Sequence, residues 1–394
     1  MENSPERQAT QLLQCLTQDK KPLGLLLGAG CPYSIKGVTD KPLIPDIRGL
    51  TEIVREMVCR KDYGEPWGNI CSQLQEDGKN EPNIEDILSR VRGLRDYAGA
   101  GDVRGLSKTI LEKLEQRICD EIVKCVSKEL PHRSTPYHHV TAWIGAIDRS
   151  EPVQIFTTNY DLLIEQALEE LRIPFFDGFV GSRQPFFDPH AIEFDTLPPR
   201  WARLWKIHGS INWRSEIVDG ILRVWRTDIK EGGSVVIHPS HLKYEQSRKM
   251  PYIAMMDRLR RFLSTPSSAL IIVGYSFRDQ HLNDVIVQGL QGTPSAVAFA
   301  LMCDPLSNCS TAISLAKERV NLCLIAEDGA VIRTKQTLWG EAEEQPDLNL
   351  PGGAVEWTKG PGQNDSWKAN FNLGDFRSFG SFLQDISGIK DTGK

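Results

Sequence analysis

The chain predicts an α/β fold, a doubly wound parallel sheet with an inserted helical subdomain, and three observations carry that prediction. Short apolar runs ending at glycine or polar residues recur along it, helical apolar spacing fills the ground between them, and the stretch from about 50 to 150 is almost wholly helical. Pro22-Leu23-Gly24-Leu25-Leu26-Leu27 stops at Gly28 and suits a strand buried on both faces. Helical patterns follow at Leu50 to Arg60, Ile84 to Tyr97, Gly105 to Leu130 and Tyr137 to Ile147, which reads as a subdomain inserted after the first strand. Val153 to Thr157 is the next strand, and Tyr160 to Leu171 the helix after it. Ala269 to Val273, Ala296 to Leu301 and Val320 to Ile325 complete an alternation of the Rossmann-like kind.

Residues 174 to 205 are rich in Phe, Pro, Asp and Arg without periodicity, and read as an ordered loop crossing the face of the cleft. Trp213 to Trp225 reads as a hairpin turning at Asp219-Gly220. Beyond about 340 the chain is rich in Gly, Pro, Asp and Asn with scattered aromatics (Trp357, Trp367, Phe371, Phe376), as expected of an extended arm packing on a neighbour. The expected organisation is therefore a catalytic domain over 1–340 and a C-terminal arm over 341–394 serving assembly. There is no internal repeat.

Bulk properties narrow the class. With 40% hydrophobic and 25% charged residues in 394, the chain buries a real core. A net charge of -6, from 46 basic and 52 acidic residues, gives no reason to expect a nucleic-acid ligand. Nine cysteines without a Cys-x-x-Cys pair argue against a disulfide framework and against a zinc ribbon. Met1 to Gln11 is polar, and no apolar run nears the roughly 20 residues of a membrane span, so a cytoplasmic protein that does not enter membranes is expected.

Five segments carry the candidate chemistry. Gly28-Ala29-Gly30 after a strand brings backbone amides close to a pyrophosphate, although it serves equally as a tight strand-to-helix turn. In Ile44-Pro45-Asp46-Ile47-Arg48 the Asp46 and Arg48 charges can fix each other or a ligand's ribose and phosphate. Thr158-Asn159-Tyr160-Asp161 lies where a strand hands over to a helix, a place for ligand contacts; viewed alone, Asp161 is a plain helix N-cap. His208-Gly209 supplies an imidazole that titrates near neutrality and can act as general base. His138, His139, His238 and His241 read as structural. Finally, Gly274-Tyr275-Ser276-Phe277-Arg278-Asp279 after an apolar strand again offers close backbone approach plus a hydroxyl.

Taken in order, these segments resemble the NAD-binding core of the sirtuin family, over roughly residues 20 to 330. The resemblance implies that Gly28, Ala29, Gly30, Asp46, Arg48, Thr158, Gly274, Ser276 and Phe277 contact NAD+, the last three on its adenosine side. Asn159 is then assigned to the ribose and the attacking water, Asp161 to the nicotinamide amide and His208 to the general base. There are departures: Pro32 replaces a serine, Ile47 a phenylalanine, and Tyr160 a position usually apolar. Cys-x-x-Cys pairs do not follow His208, so the structural zinc of deacylating sirtuins, and with it part of the acyl-lysine channel, is expected to be missing. Without that channel water is the natural nucleophile, which implies NAD+ hydrolysis to nicotinamide and ADP-ribose and no metal. Arg278-Asp279 followed by His281-Leu282-Asn283 is similar to bacterial sirtuin-like domains of anti-phage defence. That branch implies an abortive-infection effector gated by homo-oligomerisation or by a separately encoded ATPase of the HerA type. A deacylase or ADP-ribosyltransferase, or a non-catalytic NAD or ADP-ribose sensor, are the alternatives.

Overall fold

The computed structural model describes residues 4–37, 40–99, 101–228, 234–237, 250–344, 346, 350–359 and 366–388; His238 and His241 lie outside the described residues. Its centre is a nine-stranded sheet. In chain order the strands are β1 (Leu23–Leu27), β2 (Gln154–Thr157), β3 (Phe175–Phe176) and β4 (Ala202–Lys206). Outside that sheet, β5 (Gly209–Val218) and β6 (Ile221–Arg226) form the hairpin read from the sequence, its turn residues Asp219 and Gly220 both at positive φ. The central sheet continues with β7 (Ala269–Val273), β8 (Val297–Leu301), β9 (Leu322–Ile325), β10 (Gly329–Ile332) and β11 (Lys335–Leu338). Across the sheet the order is β11-β10-β9-β8-β7-β1-β2-β4-β3, parallel from β9 to β3 and antiparallel at the β10–β11 edge.

The period of two along each strand sorts its side chains into two cores. Leu25 and Leu27 of β1 join one hydrophobic cluster and Leu26 the other, as Phe299 and Ala300 of β8 do. The first face is covered by α1 (Pro5–Leu16), by the insertion α2 (Ile47–Val58), α3 (Gly64–Glu76), α4 (Ile84–Tyr97), α5 (Lys108–Val126) and α6 (Pro136–Ala146), and by α7 (Leu163–Glu170). On the opposite face lie α8 (Tyr252–Leu263), α9 (Gln280–Gly292) and α10 (Ser310–Glu318). The result is a three-layer doubly wound architecture.

Two expectations are corrected. The stretch 174–205 is not a loop throughout: it holds short strands, a helical turn at Pro189–Phe194, and β4, whose residues are all buried within the main sheet. Charged Arg203 and Lys206 interrupt the apolar pattern of β4, and they tolerate burial because each is paired with a carboxylate and with backbone carbonyls. Arg203 donates to Asp195 Oδ1 at 2.6 Å and to the carbonyls of Leu197 and Trp201, while Lys206 donates to Glu165 Oε1 at 2.7 Å and to the Asp161 carbonyl.

Nor is the described part of the region past 340 extended. Glu341–Ala342, Val355–Lys359 and Trp367–Phe371 form a three-stranded antiparallel sheet, followed by α11 (Phe376–Ser387) between an Asp375 N-cap and a left-handed Gly388. The helix lies on α6, with the Phe376 and Tyr137 rings 5.0 Å apart and Gly380 so close to Pro136 that a Cβ would come within 2.8 Å of its Cα. Trp357 Nε1 donates to Glu6 Oε1 at 2.9 Å, tying this sheet to α1. Trp357, Phe371 and Phe376 therefore serve the chain's own core. None of the described helices is long and apolar enough to cross a membrane.

Candidate functional site

β1 and β7 are neighbours whose continuations leave toward opposite faces, β1 into the insertion and β7 into α9. Such a switch point opens a crevice at the carboxyl ends of the strands. Here the two post-strand loops touch: Gly28 N donates to Val273 O and Gly30 N to Gly274 O, both at 2.9 Å. A Cβ on Gly28 would fall 2.3 Å from Gly274 O, and one on Gly274, at φ +68°, would fall 2.7 Å from Cys31 N. Glycine is thus demanded by loop-on-loop contact. The amides expected to be free for an anion are, at Gly28 and Gly30, already committed to the protein, which corrects the expectation of a ready-made cradle there.

Above this contact lies a cavity of about 400 Å³, walled by the ends of β1, β2 and β7, by the residues after β4, and by the loops at 44–50 and 79–86. It brings together Ala29, Thr158, Asn159, Asp161, His208, Gly274 and Ser276 of the residues singled out in the sequence. Three of the others fall elsewhere. Asp46 caps α2 by accepting from Gly49 N at 2.8 Å, and Arg48 points to Glu52 one helical turn on, so these exposed charges neither pair with each other nor line the cavity. Their neighbours Pro45 and Ile47 line it instead. Phe277, in a left-handed conformation at φ +58°, is buried with its ring 4.8 Å from Tyr275. A larger open depression of about 870 Å³ near α7 and β6 holds Asn212, Trp225 and Arg226 but, among the segments named above, none of the candidate residues.

Each wall residue is fixed by strand-end geometry. Thr157 Oγ1 donates to Leu27 O at 2.9 Å and accepts from Asn159 N at 3.1 Å, while Asn159 Nδ2 donates to Gly28 O at 3.1 Å. That locks the Asn159 side chain onto the β1 loop. Asp161 accepts from Leu163 N at 3.1 Å, but it lies one residue before the Leu162 N-cap of α7, so it is a cavity-wall residue and not the helix cap itself. Tyr160, unusual in the sequence, donates to Glu85 Oε1 at 3.0 Å and so joins the insertion to this loop. His208 follows β4, with Gly209 at φ +90° turning the chain away, and its Nε2 lies 2.9 Å from Asp279 Oδ2.

The electrostatics follow from burial among carboxylates. For Asp161 desolvation outweighs the attraction of Lys206 and pushes the pKa from 3.8 up to about 6. His208 is also opposed by desolvation, yet the hydrogen bond and charge of Asp279, with Glu85 farther off, raise it above its ordinary value. Asp279, despite its own desolvation, is held below the usual carboxylate range by His208. This pair stabilises the fold most between the two ordinary values; its contribution is lost as pH falls through the depressed Asp279 pKa or rises through the raised His208 pKa.

Asp161 has the opposite sign: its ionisation is a cost that grows as pH climbs through about 6. Asp161→Asn, which keeps the Oδ1 acceptor for Leu163 N, is therefore expected to stabilise the protein at pH 8 by about 2 kcal/mol and to make no difference near pH 3. Urea unfolding at the two pH values measures this; equal stability at pH 8 would contradict it.

Sequence reasoning passed over Asp279 and Tyr275, quoted only as parts of a segment, and Glu85 and Lys206. Asp279 carried a signal, a carboxylate immediately before a helical run. Glu85 carried none, since only the packing of the insertion brings it to the cavity. Among the described residues there is no cluster of three or more His, Cys, Asp or Glu able to hold a metal.

The fold and cleft define a class, doubly wound α/β proteins with a cavity at the switch point. Within it, residues 153–323 match the family model of the SIR2-like domain, a span that holds Asn159, Asp161, His208 and Gly274 but not the Gly28 loop. No curated protein sequence matches the chain. Solved structures that resemble it include a Sir2 homologue in complex with NAD, at 15% identity and a TM-score of 0.38, covering 77% of this chain and 86% of that one. A structure from work on the mechanism and regulation of Sir2 enzymes shares 12% identity at a TM-score of 0.34, covering 76% and 86%. A variant Sir2 homologue bound to ADP-ribose shares 13% at 0.32, covering 75% and 86%.

Proposed function

We propose that this protein hydrolyses NAD+ to nicotinamide and ADP-ribose. The observation that carries the reading is the convergence of Asn159, Asp161 and His208 on one switch-point cavity, within the span that matches the SIR2-like domain. NAD+ brings its own leaving group, since breaking the bond from the cationic nicotinamide to ribose releases a neutral ring and leaves an oxocarbenium-like centre. Glu85 and Asp161 line the cavity and supply negative potential for that centre. Asn159, pinned on Gly28, positions the ribose or the water; Asp161 meets the carboxamide; His208 takes the proton. With the Gly28 and Gly30 amides committed, the pyrophosphate falls to Ala29, Ser276 and the exposed Arg278 at the cavity wall.

Unregulated NAD+ hydrolysis would exhaust a cell, so the activity is proposed to be gated, by self-assembly or by a separately encoded HerA-type ATPase, with the protein an abortive effector of anti-phage defence. The similarity of the Arg278-Asp279 segment to such domains supports this. Incubating the purified protein, alone and with the reconstituted ATPase, with NAD+ and following products by chromatography tests the activity. Nicotinamide and ADP-ribose in equal amounts are expected, and Asn159→Ala is expected to reduce them at least 100-fold with an unchanged circular dichroism spectrum. Tight NAD+ binding without turnover in every assembly would replace the hydrolase by a sensor, and release that depends on an acyl-peptide would replace it by a deacylase.

A further inference from the structure

We propose that Asp279 is the positioning residue of His208, fixing its ring as the Nε2–H tautomer so that Nδ1 is the nitrogen that accepts the substrate proton. The inference rests on the hydrolase reading for the identity of that proton, but its structural half stands on the pair itself. Asp279 divides its two oxygens between two tasks. Oδ1 caps α9, accepting from His281 N at 3.0 Å and Leu282 N at 3.3 Å, while Oδ2 faces His208 Nε2 at 2.9 Å. A residue needed only as a cap has no use for the second contact.

The aspartate is itself held. Tyr275 Oη lies 2.8 Å from Asn283 Oδ1 and 3.1 Å from the Asp279 carbonyl and shares its one proton between them, and Asn283 Nδ2 donates to Phe277 O at 2.8 Å. This network gives a purpose to Phe277 and its left-handed backbone: the loop between β7 and α9 is wound tightly enough to aim the carboxylate back across the cavity floor. His208 and Asp279 are both buried, so the carboxylate has little water to compete for the ring. The other groups around the ring are Glu85 from α4 and Tyr160 from the β2–α7 loop, its ring 6.4 Å away; Tyr275, Tyr252 of α8 and His281 of α9 stand nearer Asp279. Among these Asp279 is the partner that contacts an imidazole nitrogen.

An ionised carboxylate accepts and cannot donate, so the nitrogen facing it carries hydrogen. In the neutral ring Nδ1 is then the open lone pair. In the reaction the O–H bond of water breaks, its proton goes to Nδ1, and its electron pair forms the new bond to ribose C1′. The C1′–N bond breaks with its pair on nicotinamide, and the imidazolium that results keeps Nε2–H on Asp279.

Nitrogen-15 spectra of protein labelled in histidine, with His208→Gln used to assign the signal, test this without any turnover. Neutral wild-type His208 is expected to show a protonated Nε2, and in both Asp279→Asn and Asp279→Ser, which keep a capping oxygen, its midpoint is expected about one pH unit lower. Finding Nδ1 protonated in the wild type, or an unmoved midpoint in both variants, would overturn the pairing. In turnover, the acid limb of the kcat profile is expected to move down with that midpoint while the plateau falls at least 10-fold and up to about 10⁴-fold, as when a histidine loses the carboxylate that sets its tautomer. NAD+ affinity is expected to change by less than threefold. A loss of kcat with an unmoved limb would mean that Asp279 merely stabilises the fold. A protein with the expected spectra that cleaves no NAD+ in any assembly would retain the pair and lose the hydrolase reading.

Discussion

Removal of the His208 imidazole is expected to lower nicotinamide release by about 10² to 10⁴, the usual worth of a positioned general base. The choice of variant decides what is learned. In His208→Ala the Asp279 carboxylate stays buried after losing its partner, and uncompensated burial of a charge costs about 3–5 kcal/mol in comparable settings. Low activity there would therefore mix chemistry with unfolding. His208→Gln keeps an N–H group to offer Asp279 and removes the base. Stability within about 1 kcal/mol of wild type by urea unfolding, with activity reduced as strongly as in His208→Ala, is the expected pair of results. A Gln variant that turns over NAD+ at the wild-type rate would remove His208 from the reaction.

The second large effect is steric. Gly28→Ala places a methyl group 2.3 Å from Gly274 O, and Gly274→Ala places one 2.7 Å from Cys31 N while demanding φ +68° of an L-residue. Backbone, not a flexible side chain, is the obstacle in both cases, so β1 and β7 must part where they enclose the cavity. Overpacking typically costs 1–3 kcal/mol and left-handed backbone about 1–2 kcal/mol more, which gives about 3 kcal/mol for Gly274→Ala. Both variants are expected to lose NAD+ binding together with stability. Gly93→Ala in the middle of α4 is the contrast, since a Cβ there meets nothing within 4 Å. It is expected to stabilise by about 0.5–1 kcal/mol, through helix propensity alone. Thermal unfolding of the three variants in parallel reads all of these; equal melting temperatures would show that the two loops yield without cost.

These contrasts explain what was legible beforehand. Strands such as Leu23–Leu27 and Ala269–Val273 announce themselves because both faces are buried and each run is apolar throughout. Helix α4 was readable to its ends, as Asn83 and Asp86 form a capping box whose partners are close in sequence. Strand β4 was hidden, because charged Arg203 and Lys206 break its apolar run, and only the fold sets Asp195 and Glu165 against them. Asp46 and Arg48 show the converse, a motif whose charges turn outward to cap and flank a helix.

The alternation of strand and helix, the long helical insertion and the glycine loops at two strand ends follow from local residue order alone, since each depends on spacing within one short segment. It takes the folded chain to bring Asp279 to His208 across 71 positions and Glu85 to Tyr160 across 75, to spend the Gly28 and Gly30 amides on the neighbouring loop, and to close the C-terminal helix on α6. The physical reason is range. Propensity, periodicity and capping act within a few residues, whereas pairing of buried charges and contact between loops depend on where parallel strands set distant segments side by side.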